Sequence, residues 1–107
     1  MNKKNTECLF SDFPQLYRGR TETITTNLMS FGFCCGDGWF LLIYELSAKV
    51  TEYAEKTGFD AKVSQVKEKC GGLRFYLKLE DEIITSLVEE AEERSFTICE
   101  KCGEPGL

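Results

Sequence analysis

The chain has 107 residues, of which 42% are hydrophobic and 29% are charged, and it carries a formal net charge of −5. This composition indicates one folded domain with a single core and excludes a largely disordered chain. It also argues against a broad phosphate-binding surface, because such surfaces depend on an excess of basic residues.

The first 33 residues are expected to form a short helix followed by a polar loop. Apolar residues at helical spacing predict that this helix follows a Ser11 or Asp12 cap and has Pro14 in its first turn. The apolar set is Phe10, Phe13, Leu16 and Tyr17.

A tight glycine-rich turn, FGFCCGDGW, precedes the next element. Asp37 is placed to cap a helix over residues 38–57, and Gly58 is placed to end it. Apolar residues in this segment recur at the i, i+3, i+4, i+7 positions of one helical face. They are Trp39, Leu42, Ile43, Leu46, Val50, Tyr53 and Ala54.

Residues 61–79 predict an antiparallel β-hairpin that turns at the sequence CGG. One face of its second strand is apolar (Leu73, Phe75, Leu77 and Leu79), and the other face carries Arg74, Tyr76 and Lys78.

A second amphipathic helix is expected over residues 82–95, after an Asp81 cap. The fold class is therefore α+β, with two helices packed on a short sheet. Residues 34–95 would form the core of the single domain, and residues 96–107 a cysteine-containing tail.

No segment is long and apolar enough to span a membrane, and the first residues lack the apolar region of a secretory signal. The chain has six cysteines and no histidine. The adjacent Cys34 and Cys35 and the missing signal fit a disulfide framework poorly, so a reduced, cytoplasmic setting is expected.

Cys99, Cys102 and Gly103 form a C-x-x-C-G motif, which is typical of half a structural zinc site. The tight turn brings two thiolates together and directs backbone N–H groups towards the sulfurs. A redox pair is the alternative, although such pairs usually lie at a helix N-terminus, and only five residues follow Cys102.

Several sources for the remaining zinc ligands stay open. Cys34 or Cys35 in the glycine-rich turn are the first candidates, and Cys8 is another. Two copies of the chain also satisfy the site if each contributes its pair to one metal in a homodimer. A fourth explanation is that the chain is a shortened form of a longer protein. Cys70, which precedes two glycines, is interpreted as a small apolar filler.

Three segments together carry a resemblance: CGDGW (residues 35–39), QVKEKCGGLRFY (65–76) and EEAEERSFTICEKCGEPG (89–106). They resemble a family of small uncharacterised proteins encoded by bacteriophages and in bacterial genomes, over residues 31–106. The family usually has Phe where this chain has Cys70, which supports the filler interpretation. Longer members continue with a second Cys/His pair that would complete a zinc ribbon, and this chain lacks it. The resemblance makes a structural zinc plausible for the family and assigns no activity.

No catalytic constellation is expected, because a thiol nucleophile needs a general base or cation and the chain has no histidine. We expect instead an accessory protein that binds a protein partner and alters its activity, for example as an inhibitor of a bacterial defence system. A nucleic-acid-associated zinc-knuckle protein is the alternative, and the net negative charge disfavours it. The expected partner surface consists of Arg74, Tyr76 and Lys78 on the hairpin together with Asp37 in the turn.

Overall fold

The computed structural model of the chain describes residues 1–22, 27, 29 and 32–104, and its fold class is α+β. The sheet has three strands, and the helices supply the rest of the core. Within the described residues, no helix has the length and apolar character needed to cross a membrane. The helices are α1 (Lys3–Asp12), α2 (Phe40–Thr57) and α3 (Glu82–Ser95), and the strands are β1 (Phe33–Cys34), β2 (Val63–Lys69) and β3 (Gly72–Leu77).

The three strands lie in the order β1-β2-β3, with β1 parallel to β2 and β2 antiparallel to β3. Phe33, Val66 and Phe75 are register partners, and all three are buried against the helices. The next row consists of Cys34, Lys67 and Arg74, and it faces away from the core because side chains alternate along a strand. The sheet therefore has an inner apolar face and an outer polar face.

The structure confirms the two long helices predicted from sequence periodicity. Helix α2 ends at Gly58, which adopts the left-handed conformation with φ +76°. Helix α3 begins after Asp81, whose side chain accepts a hydrogen bond from the backbone N–H of Ile84 at 2.9 Å. The predicted hairpin is also present, so local periodicity was sufficient for these elements.

The N-terminal helix lies earlier in the chain than the sequence predicted. It follows Asn2, whose side chain accepts from the N–H of Asn5 at 2.7 Å, and it ends at Phe13. Proline disfavours the helical conformation of the residue before it, and Phe13 has φ −129° and ψ 58°. Pro14 therefore follows the helix and does not start it, so the predicted cap at Ser11 or Asp12 is wrong.

Helix α1 is fixed to the rest of the fold by an aromatic cluster. The Phe10 ring lies 5.4 Å from that of Phe33 and 5.8 Å from that of Tyr17, and the Phe13 ring lies 4.9 Å from that of Tyr44. Tyr17 is fully buried, and its hydroxyl is 2.6 Å from that of Ser47 on α2. The predicted apolar residues thus belong to the core, although they do not form one continuous helix.

Two further details of the sheet differ from the prediction. Strand β1 was not anticipated, since a strand of two residues leaves no alternation to detect. Leu79 was expected on the buried face, but it is 60% exposed because β3 ends at Leu77 and the chain bends before α3.

Helix α3 covers the outer edge of β3. The N–H groups of Leu73 and Phe75 point away from β2 and donate to side chains of α3, namely Ser95 Oγ at 2.8 Å and Glu92 Oε2 at 3.2 Å. An exposed strand edge offers unpaired backbone groups to other chains. Here two of those groups are already occupied within the fold.

We expect Ser95→Ala to lower the free energy of unfolding by about 1–3 kcal/mol, because it leaves the buried N–H of Leu73 without its acceptor. Ser86→Ala on the exposed side of α3 is the matched control and should change stability by less than about 0.5 kcal/mol. Urea unfolding monitored by circular dichroism measures both values. Equal stability of the two variants would show that the Ser95 hydroxyl does not stabilise this edge.

Candidate functional site

The C-G-D-G-W turn (residues 35–39) and the cysteine knuckle (residues 99–103) pack directly against each other. The N–H of Gly38 donates to the carbonyl oxygen of Glu100 at 2.6 Å, and the N–H of Gly36 donates to the Glu100 carboxylate at 2.8 Å. The indole N–H of Trp39 donates to the carbonyl oxygen of Ile98 at 2.9 Å. Two hydrogen bonds thus join motifs that are about sixty residues apart in sequence, and the third holds Trp39 to the residue just before the knuckle.

Glycine is required at both positions of the C-G-D-G-W turn because the knuckle leaves no room for a Cβ atom there. A Cβ atom on Gly38 would overlap the carbonyl oxygen of Cys99 and lie 2.5 Å from that of Glu100. A Cβ atom on Gly36 would also lie 2.5 Å from the Glu100 carbonyl oxygen. Any larger residue at Gly38 would therefore displace the knuckle.

The knuckle has the local geometry expected of its sequence. Gly103 has φ +79°, and its N–H donates to the carbonyl oxygen of Cys99 at 2.8 Å. Hydrogen bonds from the backbone N–H groups of Cys102 and Lys101, and from the Cys102 thiol, lower the pKa of Cys99. Stabilisation of a thiolate by N–H groups is common to metal knuckles and redox pairs.

Cys34 and Cys35 point to opposite sides of the chain. Cys35 is only 7% exposed, and burial raises its thiol pKa to about 12. The nitrogen of Met1 donates to the carbonyl oxygen of Cys35. Cys34 is exposed on the outer sheet face, beside its register partner Lys67. Cys34, at the end of β1, is exposed and Cys35, just after the strand, is buried, so the two side chains do not converge on one metal.

Among the described residues, no group of three or more His, Cys, Asp or Glu side chains is arranged to hold a metal ion. The structure brings Cys99 and Cys102 together and does not place Cys34 and Cys35 with them as a four-ligand cluster. Cys8 lies on α1, where its sulfur is 3.8 Å from Asp12 Oδ2. The zinc ligand set proposed from the sequence therefore stays a prediction.

Cys70 does not act as an apolar filler. It is exposed at the tip of the β2–β3 hairpin and has φ +56°, while the following Gly71 has φ +84°. Two central residues with positive φ are the signature of a type I′ turn. The cysteine is there as a turn residue, and the filler interpretation is wrong.

Asp37 does not cap α2, as the sequence suggested, because Trp39 occupies the N-cap position. Its carboxylate instead accepts hydrogen bonds from the backbone N–H of Asn2 at 2.6 Å and from the Asn5 side chain at 3.3 Å. These donors are at the N-terminus of α1, where the helix dipole favours a negative charge. Asp37 thus links α1 to the C-G-D-G-W turn.

The outer sheet face (Cys34, Gln65, Lys67, Arg74 and Tyr76) is basic and contains an exposed aromatic ring. Lys67 lies directly opposite Arg74, and Gln65 lies opposite Tyr76, which is 38% exposed. Arg74 donates to the carbonyl oxygen of its neighbour Leu73 at 3.1 Å. The predicted residues Arg74 and Tyr76 thus share one face, Lys78 is exposed just after the end of β3, and Asp37 belongs to a different region.

Sequence reasoning missed a surface groove beside the knuckle, which we call the Leu41 groove. Its volume is about 400 Å³, and its lining includes Phe40, Leu41, Ile98, Cys102 and Gly103. Leu41 is 72% exposed. The sequence feature that could have indicated this groove is Leu41, an apolar residue of α2 that lies outside the periodic apolar stripe of that helix.

Comparisons with protein-family models, curated proteins and solved structures gave no match to this chain. The functional interpretation therefore depends on the geometry described above.

We expect Gly38→Ala to destabilise the protein by about 1–3 kcal/mol or more, because the added methyl group meets two backbone carbonyl groups. Gly58→Ala is the control: it has open space around it, and only its positive φ costs about 1 kcal/mol. Urea unfolding gives both values. In addition, hydrogen exchange at residues 99–103 should accelerate only in Gly38→Ala, and equal exchange in the two variants would contradict the docking role.

We expect the stability contributed by Cys35 to fall as the pH rises above 9, its ordinary pKa, towards the raised folded-state value of about 12. In that window the unfolded chain releases the thiol proton while the folded chain keeps it, so unfolding becomes easier by up to about 1.4 kcal/mol per pH unit. Below pH 9 the contribution is fully present.

Free energies of unfolding of wild type and Cys35→Ala, measured from pH 8 to about pH 11, test this expectation. The wild type should lose stability faster, whereas Cys34→Ala, at an exposed position, should follow the wild type. Parallel curves for wild type and Cys35→Ala would contradict the burial argument.

Proposed function

We propose that this chain is a non-catalytic accessory protein that binds an acidic surface of another protein through its outer sheet face. The observation that carries the proposal is the pair of cations Lys67 and Arg74 beside the exposed Tyr76 on one sheet face, in a chain whose net charge is −5. Complementary charge favours an acidic partner and directs its approach.

The register of the sheet supports this proposal. Lys67 and Arg74 are directly opposite each other on neighbouring strands, and like charges in such positions destabilise a sheet. An acidic partner would relieve this repulsion by pairing with both cations. The Glu92 carboxylate on α3 interacts with Arg74 and offsets part of this repulsion, and an acidic partner would offset more of it.

Residue type and edge geometry also favour docking on this face. Tyrosine and arginine are enriched among residues that dominate interface energies, and Tyr76 and Arg74 are adjacent here. Strand addition is disfavoured at β3, because α3 side chains already bind the N–H groups of Leu73 and Phe75. A partner would therefore contact side chains on the face and not backbone at the edge.

The alternative partner, a nucleic acid, is less well supported. A polyanion is attracted by the summed charge of a protein, and this chain is acidic as a whole. A partner protein with a local acidic patch could bind the basic outer face even though the chain as a whole is acidic. The resemblance to bacteriophage-encoded proteins extends the proposal to a bacterial or phage protein whose activity the chain alters, such as a component of a defence system.

Affinity capture from bacterial lysate with matched variants tests the proposal. Arg74→Glu and Tyr76→Ala should each reduce capture of the specific partner at least tenfold relative to wild type. Lys56→Glu has the same charge change as Arg74→Glu but lies on α2, where the side chain is 72% exposed, and it should leave capture unchanged. Higher salt should weaken capture of the partner.

Nuclease treatment separates the two partner classes. Capture of a protein that survives nuclease and is lost only in the sheet-face variants supports the proposal. Capture that disappears with nuclease would instead indicate nucleic-acid binding. Equal capture by wild type, Arg74→Glu and Tyr76→Ala would overturn the role of the outer face.

A further inference from the structure

We propose that the Asp37–Gly38 peptide is a latent isomerisation site, which the docked knuckle keeps unreactive and whose reaction releases the knuckle permanently. Asp37 is the only aspartate in the sequence that precedes a glycine. The proposal is independent of the proposed partner binding, because the C-G-D-G-W turn and the outer sheet face are different regions of the molecule. It assigns a covalent modification to two residues that the fold uses for docking.

The reaction needs no reagent other than water. The backbone nitrogen of Gly38 attacks the side-chain carboxyl carbon of Asp37, and one carboxyl oxygen leaves as water with the amide proton and a carboxyl proton. Water then opens the resulting five-membered succinimide ring at either carbonyl carbon. One opening restores aspartate, and the other gives isoaspartate, in which the backbone continues through the former side chain. Glycine favours the reaction because it has no Cβ atom to crowd the attacking nitrogen.

Both reacting groups are held by other partners in the folded chain. The N–H of Gly38 donates to the carbonyl oxygen of Glu100 at 2.6 Å. The Asp37 carboxylate accepts from the N–H of Asn2 at 2.6 Å and from the Asn5 side chain at 3.3 Å. These contacts fix the nitrogen towards the knuckle and the carboxylate towards α1.

Ring closure requires the peptide plane between residues 37 and 38 to rotate until its nitrogen faces the carboxyl carbon. This rotation breaks the hydrogen bond to Glu100, and it also disrupts the turn of 3₁₀-helix over Asp37–Trp39 that leads into α2. The reaction therefore proceeds from molecules in which the knuckle has separated from the turn. Its rate follows the population of those molecules.

The product does not fit the docked arrangement. Isoaspartate adds one backbone atom before Gly38, where a single Cβ atom would already overlap the carbonyl oxygen of Cys99 and lie 2.5 Å from that of Glu100. It also moves the free carboxylate from the side chain, where Asn2 binds it, to the former main-chain position. Isomerisation thus removes both contacts of the turn, and the knuckle cannot dock again.

Peptide mapping of the full chain, by liquid chromatography with electron-based fragmentation, measures isoaspartate at residue 37 during incubation at neutral pH. We expect native wild type to accumulate it at least about tenfold more slowly than wild type held in urea. Glu100→Ala removes the carboxylate that binds the N–H of Gly36 and should accelerate the native reaction. Glu104→Ala, the same change at an exposed residue of the same segment, is the matched control and should react as slowly as wild type.

A second variant displaces the knuckle without changing either reacting residue. The Cβ atom of Gly36→Ala would lie 2.5 Å from the carbonyl oxygen of Glu100, so this variant should also isomerise faster in its folded state, which circular dichroism verifies. Gly58→Ala, which has open space around it, controls for the loss of a glycine. Equal rates for native and urea-treated wild type, or for both knuckle variants and their controls, would overturn the protection by docking.

Hydrogen exchange tests the consequence of the reaction. The isoaspartate form, separated after incubation in urea and refolded, should exchange faster at residues 99–103 than refolded chain that was not incubated. Equal exchange in the two samples would show that the product still docks and would overturn the permanent release of the knuckle.

Discussion

The hydrogen bond from Gly38 to the carbonyl oxygen of Glu100 is the constraint on which the site depends. It is formed only because Gly38 lacks a side chain, and it fixes the knuckle against the start of α2. Trp39, in the same turn, is buried in the core and binds the chain just before the knuckle. A short turn in the middle of the sequence thus determines where the last described residues lie, and core packing determines where the turn lies.

The polar contacts around the sheet follow from the need of buried backbone N–H and C=O groups for hydrogen-bond partners. Ser95 and Glu92 accept from β3, and the nitrogen of Met1 donates to the carbonyl oxygen of Cys35 just after β1. Buried backbone groups without partners are costly, so a sheet with one two-residue strand must find partners outside the sheet. The outer face is the surface that these contacts leave available, and its charge differs in sign from that of the whole chain.

Much of the fold was predictable because α2, α3 and the hairpin each have a periodic pattern that extends over several turns or residues. The first and last residues of α1 were not predictable, because Pro14 is equally compatible with the first turn of a helix and with the position after one. Strand β1 is too short for a pattern to appear. The site was half predictable: the spacing of Cys99 and Cys102 indicates a knuckle, whereas the opposite orientations of Cys34 and Cys35 depend on a strand that the sequence does not reveal.

The type I′ turn at Cys70 has a practical consequence. Cysteine is an unusual residue for a position with φ +56°, where Asn or Gly is common, and here it lies exposed at the hairpin tip. Gly71, next to it, lines the same hollow of about 330 Å³ as Cys99 and Phe96. With the exposed Cys34 replaced, a pair of labels on Cys70 and Cys102 would therefore report the distance between the hairpin tip and the knuckle.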